Sequence, residues 1–193
     1  WPEGASPGAV LAGLDPGDPG AAAFLDEAGV LLRGAAYTPF DGRPPEQPGH
    51  GGVGAPYAHV TAPLRRLVDR FGTEVCLALA AGTDPAPELR AALPELPALM
   101  VASDRRTREV ERAVLDATEA WALRGREGQS FSAVVLDAED GRGTVVLDGH
   151  AVRGRCTGDG LRPGTRVQVR LEEADVAGRS VRFRLVGADR SAS

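Results

Sequence analysis

The spacing of apolar residues divides this chain into a helical stretch followed by a run of short strands. Beyond Pro63, apolar side chains recur at three- and four-residue intervals as Leu64, Val68, Phe71, Val75 and Leu79. That rhythm predicts a helix with one buried face. It starts at the proline, whose missing N–H is no loss in the first helical position. Cys76 lies in the same apolar stretch and reads as a small core residue. A second long helix is predicted from about Ser103, with Val110, Val114, Ala117 and Trp121 on its inward face. Arg105, Arg106, Glu109, Glu111, Arg112 and Glu119 mix both signs on the other side, as a solvated surface does. Residues 62–123 are thus read as helical. Residues 1–56 are read as irregular, with one helix near Ala21–Arg33 and a Pro/Gly-rich stretch at Asp41–Pro56. A loop of that length is either functional or a surface linker.

From about Gly128 the period changes to two. Ser130–Asp137, Gly143–Leu147, Ala151–Cys156, Arg166–Glu172 and Val181–Val186 alternate apolar with polar residues. They break at Asp140-Gly141, Asp148-Gly149, Gly158-Asp159-Gly160 and Ala177-Gly178. Short strands at this spacing predict a small five-stranded barrel of the OB type. Phe183 is flanked by Arg182 and Arg184, so it is expected to point inward. The predicted fold class is α+β, with residues 1–124 mainly helical and residues 125–193 forming the barrel and a short tail.

The most informative chemistry precedes the first long helix. Tyr57-Ala58-His59-Val60-Thr61-Ala62-Pro63-Leu64-Arg65-Arg66 follows the Gly-rich run His50-Gly51-Gly52-Val53-Gly54. Arg65 and Arg66 are expected in the first helical turn, against the helix dipole, which favours acids there. Two cations beside unpaired N–H groups suit an anion, and phosphate above all.

Composition limits the alternatives. The 193 residues suggest one domain with a small second one. The net charge is −5, which argues against a globally basic nucleic-acid binder, so any contact with a polyanion is local. All 22 basic residues are arginine, while lysine, isoleucine and asparagine are absent, as codon usage in a GC-rich genome produces. Cys76 and Cys156 have no zinc spacing. There is no apolar run long enough to span a membrane and no leader pattern, which leads to the expectation of a cytoplasmic protein. Neither a Gly-x-Ser-x-Gly elbow nor a phosphate-binding Gly-Lys-Ser/Thr loop is present.

The segment from Tyr57 to Asp69 resembles the ribonuclease II / ribonuclease R family. The catalytic (RNB) domain of that family carries Tyr-x-His-Phe-Thr-Ser-Pro-Ile-Arg-Arg-Tyr-x-Asp after a His-Phe-Gly-Leu run. Tyr57, His59, Thr61, Pro63, Arg65, Arg66 and Asp69 match it. Val60, Ala62 and Leu67 depart from it, and Ala62 removes a serine suited to capping the helix. The resemblance implies a 3′-to-5′ exoribonuclease that hydrolyses single-stranded RNA with Mg²⁺. Arg65 would be the catalytic phosphate clamp, with Tyr57, His59, Thr61 and Arg66 as RNA-binding residues. It also implies an RNA-binding barrel directly after the catalytic domain. There Arg166 and Arg170, with Arg182 and Arg184, would track the phosphate backbone, unless the barrel serves a structural or docking role.

The family holds Mg²⁺ with an upstream run like Asp-Pro-x-Asp-x-x-Asp-x-Asp-Asp. Here Asp15-Pro16-Gly17-Asp18-Pro19-Gly20 continues into alanines, and is read as a solvated turn. The metal ligands are therefore expected outside this chain. The chain opens on Trp1 and its single methionine is Met100. It is read as the carboxy-terminal part of a longer enzyme, inactive when isolated. The alternative is a non-catalytic RNA- or protein-binding module that retains the arginine site and the barrel.

Overall fold

The computed structural model describes residues 2–29 and 36–188. The chain forms two compact units, one of Trp1–Arg33 with Val110–Ser193, the other of Gly34–Glu109.

The first unit opens with two short helices, α1 (Pro7–Ala12) and α2 (Pro19–Ala28), each with proline in its first turn. Ser6 caps α1 by accepting from the Ala9 N–H, and Asp18 caps α2 by accepting from Ala21 at 2.8 Å. Asp15 accepts from the Gly17 N–H. The Asp-Pro-Gly run is thus a turn and a helix cap. Helix α1 is an addition to the predicted elements, and α2 ends at Ala28, so the expected extension to Arg33 lies outside the described residues.

The barrel consists of β3 (Ser130–Glu139), β4 (Arg142–Leu147), β5 (Arg153–Thr157), β6 (Arg166–Asp175) and β7 (Ser180–Ala188). It closes in the order β3-β4-β5-β7-β6, and β3 pairs with both β4 and β6. The β5–β7 pair is parallel and the others are antiparallel. This is the five-stranded OB arrangement anticipated from the alternation. Val135, Val145, Cys156, Val169, Leu171 and Phe183 fill the interior, joined by Ala120 and Leu123 from the long helix α5 (Leu96–Leu123). Phe183 is fully buried, as its place between two arginines predicted. Gly154 makes room for it: a Cβ there would meet the Phe183 ring and stand 3.0 Å from the Val181 carbonyl. Strand β3 is buried on both faces. Ala133 and Val135 face the barrel interior, while Val134 and Leu136 are buried beyond it, where α2 packs against the strand.

Helix α5 begins at Leu96 rather than near Ser103, since Pro97 falls in its first turn, where proline is tolerated. The predicted inward face is a correction. Val110, Val114 and Trp121 are 53, 60 and 66 % exposed. The helix instead seats Ala120 and Leu123 in the core, and Glu119 accepts from the Arg153 N–H at 3.2 Å. Val110, Val114, Ala117 and Trp121 line an open apolar groove with Val176.

In the second unit, a two-residue hairpin pairs β1 (Gly49–His50) with β2 (Ala55–Pro56). Helix α3 (Leu67–Ala80) follows, then α4 (Pro87–Ala92), a 3₁₀ turn (Leu93–Glu95) and the first half of α5. Helix α3 starts four residues later than Pro63, and its predicted buried face forms only in part, with Val68, Phe71 and Val75 half-buried. Leu64 is fully exposed outside the helix, and Leu79 and Cys76 are exposed on it. The buried residue of α3 is polar, Asp69.

Candidate functional site

The arginine segment is organised around the Asp69 carboxylate, in the first turn of α3. Its Oδ2 accepts three N–H groups: the Ala62 amide at 2.7 Å, Arg66 Nη2 at 2.8 Å and Arg66 Nε at 3.1 Å. The Arg65 and Arg66 amides in turn donate to the Ala62 carbonyl at 3.1 and 2.9 Å. Residues 62–66 therefore close into a tight turn before the helix, with Arg66 in extended backbone at the N-cap. This is why the helix starts late. The acid preferred at a helix N-terminus is Asp69 itself.

The two arginines have different surroundings. Arg66 is spent internally, with Nη2 also donating to Thr61 Oγ1 at 3.2 Å. The Arg65 side chain is exposed, and among the described residues it makes no hydrogen bond or ion pair. Burial acts to raise the Asp69 pKa. The hydrogen bonds from Arg66 and Ala62, with the nearby charges of Arg66 and His59, outweigh it and hold the carboxyl below its ordinary value.

His59 sits at the centre of a ring cluster. Its ring packs edge-on against Tyr57 at 5.0 Å and Tyr37 at 5.9 Å, and His50 lies 6.4 Å away. His50 also packs on Tyr57 at 5.3 Å. Both tyrosines of the chain and two of its three histidines are gathered here. Burial raises the Tyr37 hydroxyl pKa, Arg66 opposes it, and the charges of Asp104 and Asp69 add to the rise. Two buried atoms, His59 Nδ1 and Asp69 Oδ1, have no hydrogen-bond partner among the described residues. Of the residues marked in the sequence, Tyr57, His59, Thr61, Arg65 and Arg66 are thus gathered in one unit. Tyr37 is a further member, twenty residues before Tyr57, with no motif to signal it.

The barrel shows a second cationic surface. Register places Arg170 beside Arg184, Arg184 beside Thr157, and Thr157 beside Arg142; one row on, Arg182 lies beside Arg155. All six residues are exposed, and the alternate residues Leu171, Phe183, Cys156 and Gly143 are buried. Glu172 and Glu173 pair with Arg184 and Arg182 respectively. Arg170, Arg155 and Arg142 have no ion pair among the described residues. Arg166 differs from Arg170. Its guanidinium is held by Asp148 at 2.9 Å and reaches the Gly17 carbonyl at 3.4 Å. The barrel phenylalanines provide no outer stacking platform, since Phe131 and Phe183 are both buried. Arg126 covers the Phe131 ring at 4.7 Å. Among the described residues, no group of three or more His, Cys, Asp or Glu is placed to hold a metal ion. No helix there is long and apolar enough to cross a membrane.

Residues 129–186 match the family model of the RNase II-type exonuclease C-terminal S1 domain. No curated protein matches the chain. The fold resembles Mycoplasma genitalium RNase R in complex with ribose methylated single-stranded RNA, with a TM-score of 0.67 and 17% identity over 87% of this chain. It also resembles the apo form of the same RNase R, with a TM-score of 0.59 and 17% identity over 71% of this chain. The chain spans 30% and 26% of those two structures. The family match thus covers the barrel, and the wider likeness to RNase R is one of fold.

Proposed function

We propose that this chain supplies the phosphate-clamping segment and the RNA-binding barrel of a longer 3′-to-5′ exoribonuclease acting on single-stranded RNA. The observation that carries the reading is the unequal state of the two adjacent arginines. Arg66 is held by Asp69 and Thr61, whereas Arg65 stands free on the turn that this clasp closes.

A free guanidinium on a rigid turn is suited to grip two oxygens of one phosphate in its planar fork. Placed at the scissile or adjacent phosphate, Arg65 would offset the negative charge that develops as the phosphodiester is attacked. Tyr57 is 44 % exposed, and its ring would be the one on which a base stacks. His59 would line the path of the backbone, while Thr61 holds the Arg66 guanidinium. On the barrel, Arg170, with Arg155 and Arg142, would track the phosphates over the face where they are unpaired. Arg166 instead braces Asp148 and the loop before α2.

The Mg²⁺ that this reaction implies does not fit the described residues, which lack a suitable donor set. Its ligands would lie elsewhere in the longer protein, and the isolated chain would be inactive. A second reading, a module that only binds RNA or protein, draws on the apolar groove formed by α5 and Val176.

Fluorescence polarisation with a labelled single-stranded RNA tests the proposal. Arg65→Ala and Arg170→Ala should each weaken binding, and each should reduce the salt slope by about 0.7, the share of one single-strand phosphate contact. Arg166→Ala should leave the slope unchanged. Incubation of the pure chain with that RNA and Mg²⁺ should give no trimming. Trimming abolished by Arg65→Ala would refute the claim that the isolated chain is inactive. Unchanged binding in all three variants would overturn the RNA reading.

A further inference from the structure

Asp69 is the buried charged residue of the described chain, and both its burial and its partners call for an explanation. Its side chain is 0% exposed, yet Oδ1 has no hydrogen-bond partner while three donors converge on Oδ2. A buried carboxylate with one unsatisfied oxygen is costly, so a protein keeps it only where it holds something in place. Everything Oδ2 holds belongs to one feature. The Ala62 amide begins the turn and the Arg66 side chain ends it. Between them stand Pro63, Leu64 and Arg65.

We infer that Asp69 and Arg66 form a positioning clasp that fixes the direction in which Arg65 leaves the turn, and that Arg66 itself does not contact RNA. The inference rests on the proposed role of Arg65 as the phosphate contact. The geometry is a closed loop: Asp69 to Ala62, Ala62 carbonyl to the Arg65 and Arg66 amides, and Arg66 guanidinium back to Asp69. Thr61 joins it by accepting from Arg66 Nη2. Such a loop fixes the backbone of Arg65 while leaving its guanidinium to the solvent. Arg66, by contrast, has its Nε and Nη2 directed inward, and its side chain is 21% exposed. Releasing it to a phosphate would leave Asp69 charged and unpaired in the interior.

The test is a double-mutant cycle on RNA affinity, read by polarisation with labelled single-stranded oligouridylate and the full 193-residue chain. Arg65→Ala should weaken binding roughly tenfold to a hundredfold, the size of a lost charge-assisted bond. Arg66→Ala and Asp69→Asn alone should each weaken it in the same direction. In the Arg65→Ala background, neither should cost more than about twofold, nor lower the salt slope further, because their effect passes through Arg65. A purely structural role would lower the folded fraction without this dependence on Arg65.

Circular dichroism checks folding. Thr61→Val removes only the hydroxyl acceptor, and it should show the same loss confined to the Arg65-containing chain. Additive losses for Arg66→Ala and Arg65→Ala, with a further drop in salt slope, would make Arg66 a direct contact and overturn the clasp. If Arg65→Ala itself had no effect, the proposed RNA contact would fail, and that outcome is separate from additivity.

Discussion

The closure of the barrel depends on a glycine facing a phenylalanine, and this contact can be tested quantitatively. Gly154 lies on β5 at the parallel seam with β7. An added methyl there would meet the Phe183 ring, stand 2.8 Å from its Cδ2 and lie 3.0 Å from the Val181 carbonyl. Two of these neighbours belong to a fully buried ring and the third is backbone, so none can simply swing aside. Overpacking of this kind costs about 1–3 kcal/mol. Phe183→Leu shortens the ring at a separate cost, since large-to-small changes in a closed core leave a void. In combination, the smaller side chain gives the methyl space, so the double variant should be more stable than the sum of the two single changes predicts. Urea denaturation followed by circular dichroism measures all four proteins, with midpoints compared at a constant m-value. A coupling of at least about 0.5 kcal/mol in the rescuing direction is expected for residues in contact. Strict additivity, or a Gly154→Ala chain as stable as the parent, would refute the argument that the ring occupies the space of the missing side chain.

Other consequences can be read directly. Burial, with the nearby Glu172 charge, pushes the Cys156 thiol up to about 11, while Cys76 is exposed; a thiol reagent should therefore modify Cys76 first and Cys156 only on unfolding, and fast labelling of both would contradict the core placement. Asp69 has a lowered pKa in the fold, so its stabilising share is complete above its unfolded pKa of about 3.9 and is lost as pH falls through the lower folded value. Asp69→Asn should remove that part of the acid transition, and an identical acid profile in the variant would show that the clasp carries no linkage. Glu119 is raised, mainly by burial, and Glu119→Gln keeps an oxygen for the Arg153 amide. Because the folded value is raised, ionisation of Glu119 at neutral pH lowers the stability of the fold, so the glutamine variant should be at least as stable there; a clear loss of stability would place more weight on the Arg112 and Arg153 charges.

The barrel was legible because alternation of period two reports directly on which side chains share a face. Ser130, Arg166 and the inward Phe183 came out at or near their predicted places. The helices were less so, for a physical reason. A period of 3.6 identifies an apolar stripe, but which side of a helix is covered is decided by its neighbours. On α5 the barrel accepts Ala120 and Leu123 and leaves Val114 and Trp121 in the open groove. Short α1 offers too few residues for a period, and its only signal was Ser6 followed by Pro7, an N-cap with proline behind it. In the candidate site, the motif made Arg65 the phosphate clamp and Arg66 an RNA contact, without the geometry that separates them. Asp69 separates them, through a carboxylate that the pattern named without revealing its partners. Arg166 and Arg170 likewise share a strand and a period. Only the tertiary pairing with Asp148, eighteen residues earlier, sets Arg166 apart.

A chain of net charge −5 presents a surface suited to a polyanion only where its carboxylates leave arginines unneutralised. Charges separated by more than about 8–10 Å are screened at physiological salt, so local pairing outweighs the total. The pairings differ in how readily phosphate displaces them. Arg182 and Arg184 pair with Glu173 and Glu172 on an exposed face, with side chains 59% and 63% exposed. Exposed pairs of that kind are worth about 0–1 kcal/mol, and a phosphate that offers a bidentate contact competes with them directly. On the proposed function these two arginines would remain available beside Arg170 and Arg155, and the barrel face would gain cationic character as a phosphate chain displaced their partners. Arg66 is the opposite case. Its partner carboxylate is fully covered by protein atoms, so withdrawing Arg66 would leave that charge without a cation and without water. The same side chain would thus be exchangeable on the barrel and a fixed structural member in the turn, according to the burial of the carboxylate it meets.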